Sequence, residues 1–209
     1  VGDGARQRAY HHGNLRAALL EAAIGQLEDS PAEQLSLRAI ARSLGVSQTA
    51  PYRHFADKEA LLAAMATRGY QQLLDGLNSA LAGAGDSAAA QLRALARTYV
   101  DYAASNERLF KLMFGPLVQP IEAHPELRQV SRETLGLVQQ ILEHGMQRGE
   151  FRRQDVTYLA NAAWAGIHGM ATLRIDAPTL FQRYVEVERQ IAIAVDTFLI
   201  GIAPPPTAP

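Results

Sequence analysis

An all-α fold is predicted for this chain by three observations. Apolar residues recur at helical spacing in every long segment, as at Leu15, Leu19, Leu20, Ala23 and Leu27. No stretch alternates apolar and polar residues as a half-buried strand would. The segments are punctuated by Ser, Asp, Asn, Gly and Pro at the places where helices start and stop. The expected architecture is an N-terminal three-helix head followed by a longer helical domain, about nine helices in all.

The head is taken first. Asn14 to Glu28 forms an amphipathic helix that Asp29-Ser30-Pro31 ends. Leu37, Ile40, Ala41 and Leu44 line one face of a second helix, with Ser36 placed to cap it. Gly45 follows the last apolar position, where a chain leaving a helix needs the left-handed backbone that glycine adopts freely. Val46 returns to the core, and Ser47 is expected to cap a third helix running to about Phe55. Small Ala41, four residues before Gly45, sits where two crossed helices approach closely, and this spacing marks a helix-turn-helix. Pro51 falls in the first turn of the third helix, where its missing N–H costs no helical bond, so no break is expected there.

The third helix carries a polar set that packing alone does not require. In a recognition helix, N-terminal residues meet base edges in the major groove. Gln48 has the geometry to pair with adenine, and Thr49 or Ala50 to touch a thymine methyl. Tyr52, His54 and Lys58 suit phosphate oxygens. Arg38 is placed to reach a guanine. With Ser36, Ser47 and Arg53 these residues make the candidate DNA surface. The alternative is an ordinary helical hairpin with a solvated polar face. Val1–Asn14, polar and Gly-rich with Arg6 and Arg8, reads either as a minor-groove arm or as a plain tail. His11-His12 lacks the further ligands that a metal site needs, so no metal is expected.

Leu37–Lys58 resembles the DNA-binding unit of the TetR (tetracycline-repressor-like) family, through Leu44-Gly45-Val46-Ser47, Tyr52, His54-Phe55 and Asp57-Lys58-Glu59-Ala60-Leu61-Leu62. Pro51 stands where many members carry another residue. Tyr10-His-His-Gly-Asn-Leu15-Arg and the Trp164-Ala-Gly-Ile-His168-Gly169 signature resemble one subgroup of that family. The resemblance implies a division at residue 56. Residues 1–56 form the arm and DNA-binding domain, and 57–209 form a helical regulatory and dimerisation domain. It also implies a homodimer that binds a double-stranded DNA operator and a small-molecule effector, with repression as the family's common mode.

The second domain opens with a long helix, Asp57–Ala82, with Asp57 as its cap and Ala60 three residues on. It reads as a lever leading out of the head. Asp86 or Ser87 caps the next helix, which runs to Ser105; Asn106 caps Glu107–Phe114, and Gly115-Pro116 stops it. Glu126–Arg148 is long and amphipathic, with Gly149 just past its end. Asp155–Ile175 and Pro178–Ile200 complete the set, and Pro204–Pro209 is a tail.

Tyr99, Tyr102, Phe110, Met113, Phe114, Trp164 and Met170, with His168 as a polar group, have the composition of a small-molecule pocket between helices. Residue by residue they also fit a plain core, with His168 bonded to a carbonyl or a Glu. Arg97, Arg108 and Arg174 meet either an anionic ligand or solvent. A stripe of Leu180, Phe181, Tyr184, Glu188, Ile191, Val195, Phe198 and Leu199, flanked by Ala160, Ala163 and Ile167, is suited to a four-helix dimer bundle. A monomer using the stripe internally is the alternative.

Composition narrows the function classes. With 209 residues, 48% of them hydrophobic, the chain is long enough to bury a proper core. The formal charge of −1 gives no bulk attraction to nucleic acid, so any basic footprint is local. The absence of Cys excludes disulfides and thiolate metal sites. No apolar run approaches a membrane span and no signal peptide is evident, so a cytoplasmic protein without a membrane partner is expected. His168 with Glu143 or Glu188 would make an acid–base pair, yet no activated nucleophile or phosphate loop accompanies it. A helical small-molecule-binding or acid/base enzyme-like protein without a DNA role is therefore only the alternative. No enzyme activity and no cofactor are expected.

Overall fold

The computed structural model describes residues 15–205. The Val1–Asn14 arm, with Arg6, Arg8 and His11-His12, lies outside the described residues, as do 206–209 of the tail. Among the described residues the fold is all-α. The helices are α1 (Leu15–Asp29), α2 (Leu37–Ser43), α3 (Lys58–Gly83), α4 (Ala88–Ser105), α5 (Glu107–Phe114), α6 (Pro125–Gln147), α7 (Val156–Asp176), α8 (Pro178–Arg183) and α9 (Val187–Ile202). They group into two compact units. One holds the chain up to Gly69 together with Arg108–Arg128, and the other holds Tyr70–Glu107 and the chain from Gln129 onward. The change of unit falls inside α3.

In the first unit, α1 buries Leu19, Leu20, Ala23 and Leu27, and α2 buries Leu37, Ile40 and Ala41. The turn after α2 closes as a Schellman motif. Val46 N–H donates to Ala41 O at 3.0 Å and Gly45 N–H to Arg42 O at 3.1 Å. Gly45 has φ +67°, the left-handed conformation this closure needs. α3 starts as expected, with Ala60 N–H donating to Asp57 Oδ1 at 2.8 Å. Farther along, Gly69 lets α5 approach, since a Cβ there would lie 2.6 Å from Met113 Sδ. The 108–128 segment joins this unit through polar ties. Arg108 Nη1 donates to Leu27 O at 3.3 Å, Arg16 faces Glu126 at 4.0 Å, and His124 Nε2 lies 3.6 Å from Glu59.

In the second unit, α4 packs on α7, and α9 packs on both. Ser87, not Asp86, caps α4, accepting from Ala90 N–H at 3.5 Å. Asp155 caps α7, accepting from Thr157 N–H at 2.8 Å. Gly149, with φ +74°, closes α6 in a second Schellman motif, in which Glu150 N–H donates to Gly145 O at 2.8 Å.

Several local expectations need correction. Ser36 has the extended backbone of an N-cap but its hydroxyl makes no cap bond. Asn106 directs its amide back to Tyr102 O at 2.9 Å instead of forward into α5. The single helix expected over Pro178–Ile200 is two, α8 and α9. Leu180 O accepts from both Tyr184 N–H and Val185 N–H, which ends α8, and the β-branched pair Val185 and Val187 flanks the break. The expected stripe is thereby split. Ile191 and Val195 are buried, whereas Tyr184 is 77% exposed.

Candidate DNA-reading turn and body site

The segment after the Gly45 turn is not the α-helix expected from Ser47 to Phe55. It is a bend followed by one 3-10 turn, Ala50–Arg53. Pro51 accounts for the difference. Lacking an N–H, it leaves Ser47 O without its i+4 donor, and Ala50 N–H takes that carbonyl from i+3 instead, at 2.9 Å. The Ser47 hydroxyl caps no α-helix. It sits 2.8 Å from the Thr49 hydroxyl and accepts from Thr49 N–H at 3.3 Å.

This turn is anchored from below and displayed above. Pro51 and Phe55 are buried, and the Arg16 guanidinium lies over the Phe55 ring, 5.4 Å from its centroid. Around them Ser47, Gln48, Thr49, Tyr52, Arg53 and His54 are exposed, and Ala50 is half-buried. Ser36 and Arg38, at the start of α2, are exposed too. Lys58 is half-buried and donates its ammonium to the Glu33 carbonyl. Arg16 is a residue that sequence reasoning missed. Its role depends on a ring 39 positions away, and no local pattern marks it.

The body residues divide between the units. Phe110 and Phe114 pair on α5 with ring centroids 4.9 Å apart, and Met113 packs at Gly69. These three belong to the first unit. Tyr99 and Tyr102 on α4, with Trp164, His168 and Met170 on α7, belong to the second.

There, Trp164 Nε1–H donates to Tyr99 Oη at 3.3 Å, and Tyr99 Oη lies 2.9 Å from His168 Nδ1. The indole and imidazole rings are tilted by 34° with centroids 5.1 Å apart. Burial pushes the Tyr99 phenol far above its ordinary range, opposed by the Trp164 hydrogen bond and reinforced by neighbouring Tyr70. Tyr70, itself raised by burial, is a second member that sequence reasoning missed. Burial also lowers the His168 pKa, which favours neutral imidazole. The partner of His168 expected from sequence was a carbonyl or a Glu, and Tyr99 is found beside it. Glu188 instead pairs with Arg97 at 3.0 Å. Of the arginines considered for an anion, Arg174 faces Asp101 at 3.4 Å and Arg108 donates to Leu27 O. Among the described residues no His, Cys, Asp and Glu group is placed to hold a metal, and no helix is long and apolar enough to cross a membrane.

Two family models match the chain. "Bacterial regulatory proteins, tetR family" covers residues 19–65, and "Tetracyclin repressor-like, C-terminal domain" covers 92–198. The chain belongs to the TetR family. The first match runs from α1 into α3, and the second from α4 into α9. An HTH-type transcriptional regulator of Mycobacterium bovis is 30% identical over 143 residues, which span 68% of this chain and 61% of that relative's length. Bacillus subtilis YobS, named an uncharacterized HTH-type transcriptional regulator, is 24% identical over 88% of this chain and 90% of its own. Among solved structures, a Rhodococcus protein of unknown function is 35% identical with a TM-score of 0.83, over 93% of this chain and 98% of that one. FadR of Bacillus subtilis, solved with stearoyl-CoA, shares the fold at 18% identity and a TM-score of 0.72, over 89% of this chain and 98% of that one.

Proposed function

We propose that this TetR-family protein is a cytoplasmic, ligand-responsive DNA-binding transcriptional regulator, a homodimeric repressor released from a palindromic operator by a small molecule. The observation that carries the reading is the anchored turn. Gln48, Thr49, Tyr52, Arg53 and His54 are all exposed on a short segment whose Pro51 and Phe55 are buried. That arrangement offers base-edge donors and phosphate contacts from one rigid platform. The head is 1–56 and the regulatory and dimerisation domain 57–209, as the family resemblance implies.

Dimerisation is supported by faces that differ from the expected stripe. On α7, Tyr158, Ala162, Ala165, Gly169 and Leu173 share one exposed face, and on α9 Ile193 and Ile200 are exposed. Small and apolar residues at this spacing suit close helix packing against a second copy. Ligand binding is assigned to the Tyr99, Trp164 and His168 network in the second unit. Release follows if the ligand has higher affinity for a state whose heads are spread than for the DNA-bound state.

Selection from a pool of random duplexes tests the reading. The expected product is an inverted repeat with half-sites about 34 Å apart or a multiple of that. Recovery of sequences with no common element contradicts it.

A further inference from the structure

The ligand class follows from the charge pattern of the body site, and this step rests on the ligand-binding reading above. Trp164, Tyr99 and His168 form a chain of hydrogen-bonding groups without formal charge, joined at 3.3 and 2.9 Å. Either direction of the Tyr99–His168 bond leaves the trio neutral, and burial favours the neutral form of both residues. The indole remains 37% exposed, so the ring stack presents apolar surface outward.

Charged groups on these helices pair with one another. Arg97 lies 3.7 Å from Asp101 and 3.0 Å from Glu188, and Arg174 lies 3.4 Å from Asp101. Two guanidinium groups thus face two carboxylates across α4, α7 and α9. Arg97 and Asp101 stand two residues either side of Tyr99, on the opposite face of α4, so these ion pairs are turned away from the trio. Bringing a carboxylate, phosphate or ammonium against a neutral, half-buried trio costs far more than bringing a hydroxyl or carbonyl that the trio hydrogen-bonds.

We propose that this site takes an uncharged ligand, with an apolar body against the Trp164 indole and one hydroxyl or carbonyl group hydrogen-bonded by the Tyr99–His168 pair. The acyl-CoA bound by the structurally similar FadR, an anionic ligand, does not fit this pattern.

The test uses 1-decanol, decanoate and decylammonium, which share one alkyl body and differ in head group. Trp164 is the only tryptophan of the chain, so its emission reports on the site directly. The expected result is a saturable change with decanol, its apparent Kd at least about tenfold below those of the two ions. Tyr99→Phe is expected to weaken decanol binding by roughly three- to tenfold. Decanoate or decylammonium binding as tightly as decanol overturns the ligand class and leaves the body site standing. No saturable response to any of the three removes the site, and the ligand class with it. So does a decanol response unchanged in both Tyr99→Phe and His168→Gln.

Discussion

Tyr99 Oη and His168 Nδ1 lie 2.9 Å apart across 69 residues of sequence, and the Trp164 indole donates to the same oxygen. This contact joins α4 to α7 in the middle of the helical body. It also places a titratable ring directly against the chain's one tryptophan.

A pH titration of Trp164 emission reads that ring. Protonated imidazole quenches a stacked indole, so quenching is expected to set in below the ordinary histidine value of about 6.5, because burial lowers the His168 pKa. His168→Gln is expected to abolish the step. The stability consequence has a definite sign. A pKa depressed in the folded state gives a contribution that is present above the unfolded value and lost as pH falls through the folded one. The thermal midpoint of the wild type therefore falls more on acidification than that of His168→Gln. Equal falls in the two proteins contradict the assignment.

Gly45→Ala isolates the backbone cost of the turn. Glycine holds φ +67° there, and an added Cβ meets nothing within 4 Å. The expected loss is thus conformational alone, about 1–2 kcal/mol. Urea unfolding measures it. A neutral substitution contradicts the left-handed closure.

Gly145→Ala and Gly69→Ala separate rigid from adaptable neighbours. At Gly145 the new Cβ lies 2.4 Å from the Phe151 ring and 3.0 Å from Ala88 Cβ, and at Gly69 it lies 2.6 Å from Met113 Sδ. The buried Phe151 ring cannot yield without shifting the backbone that carries it, whereas a thioether changes rotamer. Gly145→Ala is expected to lower stability by about 1–2 kcal/mol. Gly69→Ala is expected to stay nearer neutral, helped by the better helix propensity of alanine. The order of the two melting temperatures is the check.

In the head, Gln48→Ala and Tyr52→Phe are expected to act differently. Gln48 is assigned to a base edge, so its loss shifts the preferred base at one position, by about 1–3 kcal/mol of discrimination. Tyr52 is assigned to phosphate, so its loss weakens all duplexes alike. Competition binding on a panel of single-base variants distinguishes them. Uniform weakening by Gln48→Ala contradicts its base-reading role.

What was legible in the sequence was local. Gly45 and Gly149 announce Schellman closures, because only the few residues around them decide the matter. Asp57 caps the helix that follows it for the same reason. The Pro51 turn departs from the sequence expectation although it too is local. A proline in a first turn is harmless only if a helix continues beyond it, and here Phe55 and the Asp57 cap end the segment within one turn. The break between α8 and α9 was hidden by an apolar spacing that continues through it. The site itself was half legible. Trp164 and His168 share a helix face by spacing alone, but Tyr99 reaches them, and Tyr70 neighbours Tyr99, only through packing of distant helices. Phe110, Met113 and Phe114 have the right composition for the same pocket, yet their helix joins the unit of the head. Composition does not say which neighbours a helix acquires.

In the proposed complex two anchored turns, one from each protomer, read one DNA site. Fluorescence anisotropy on the duplex flanking the protein's own gene, beside a scrambled duplex and at two salt concentrations, tests it most directly. The expected result is saturable binding that prefers the native duplex, two chains per site, and a steep loss of affinity as salt rises. Equal binding to both duplexes at low salt, with no defined stoichiometry, would contradict it.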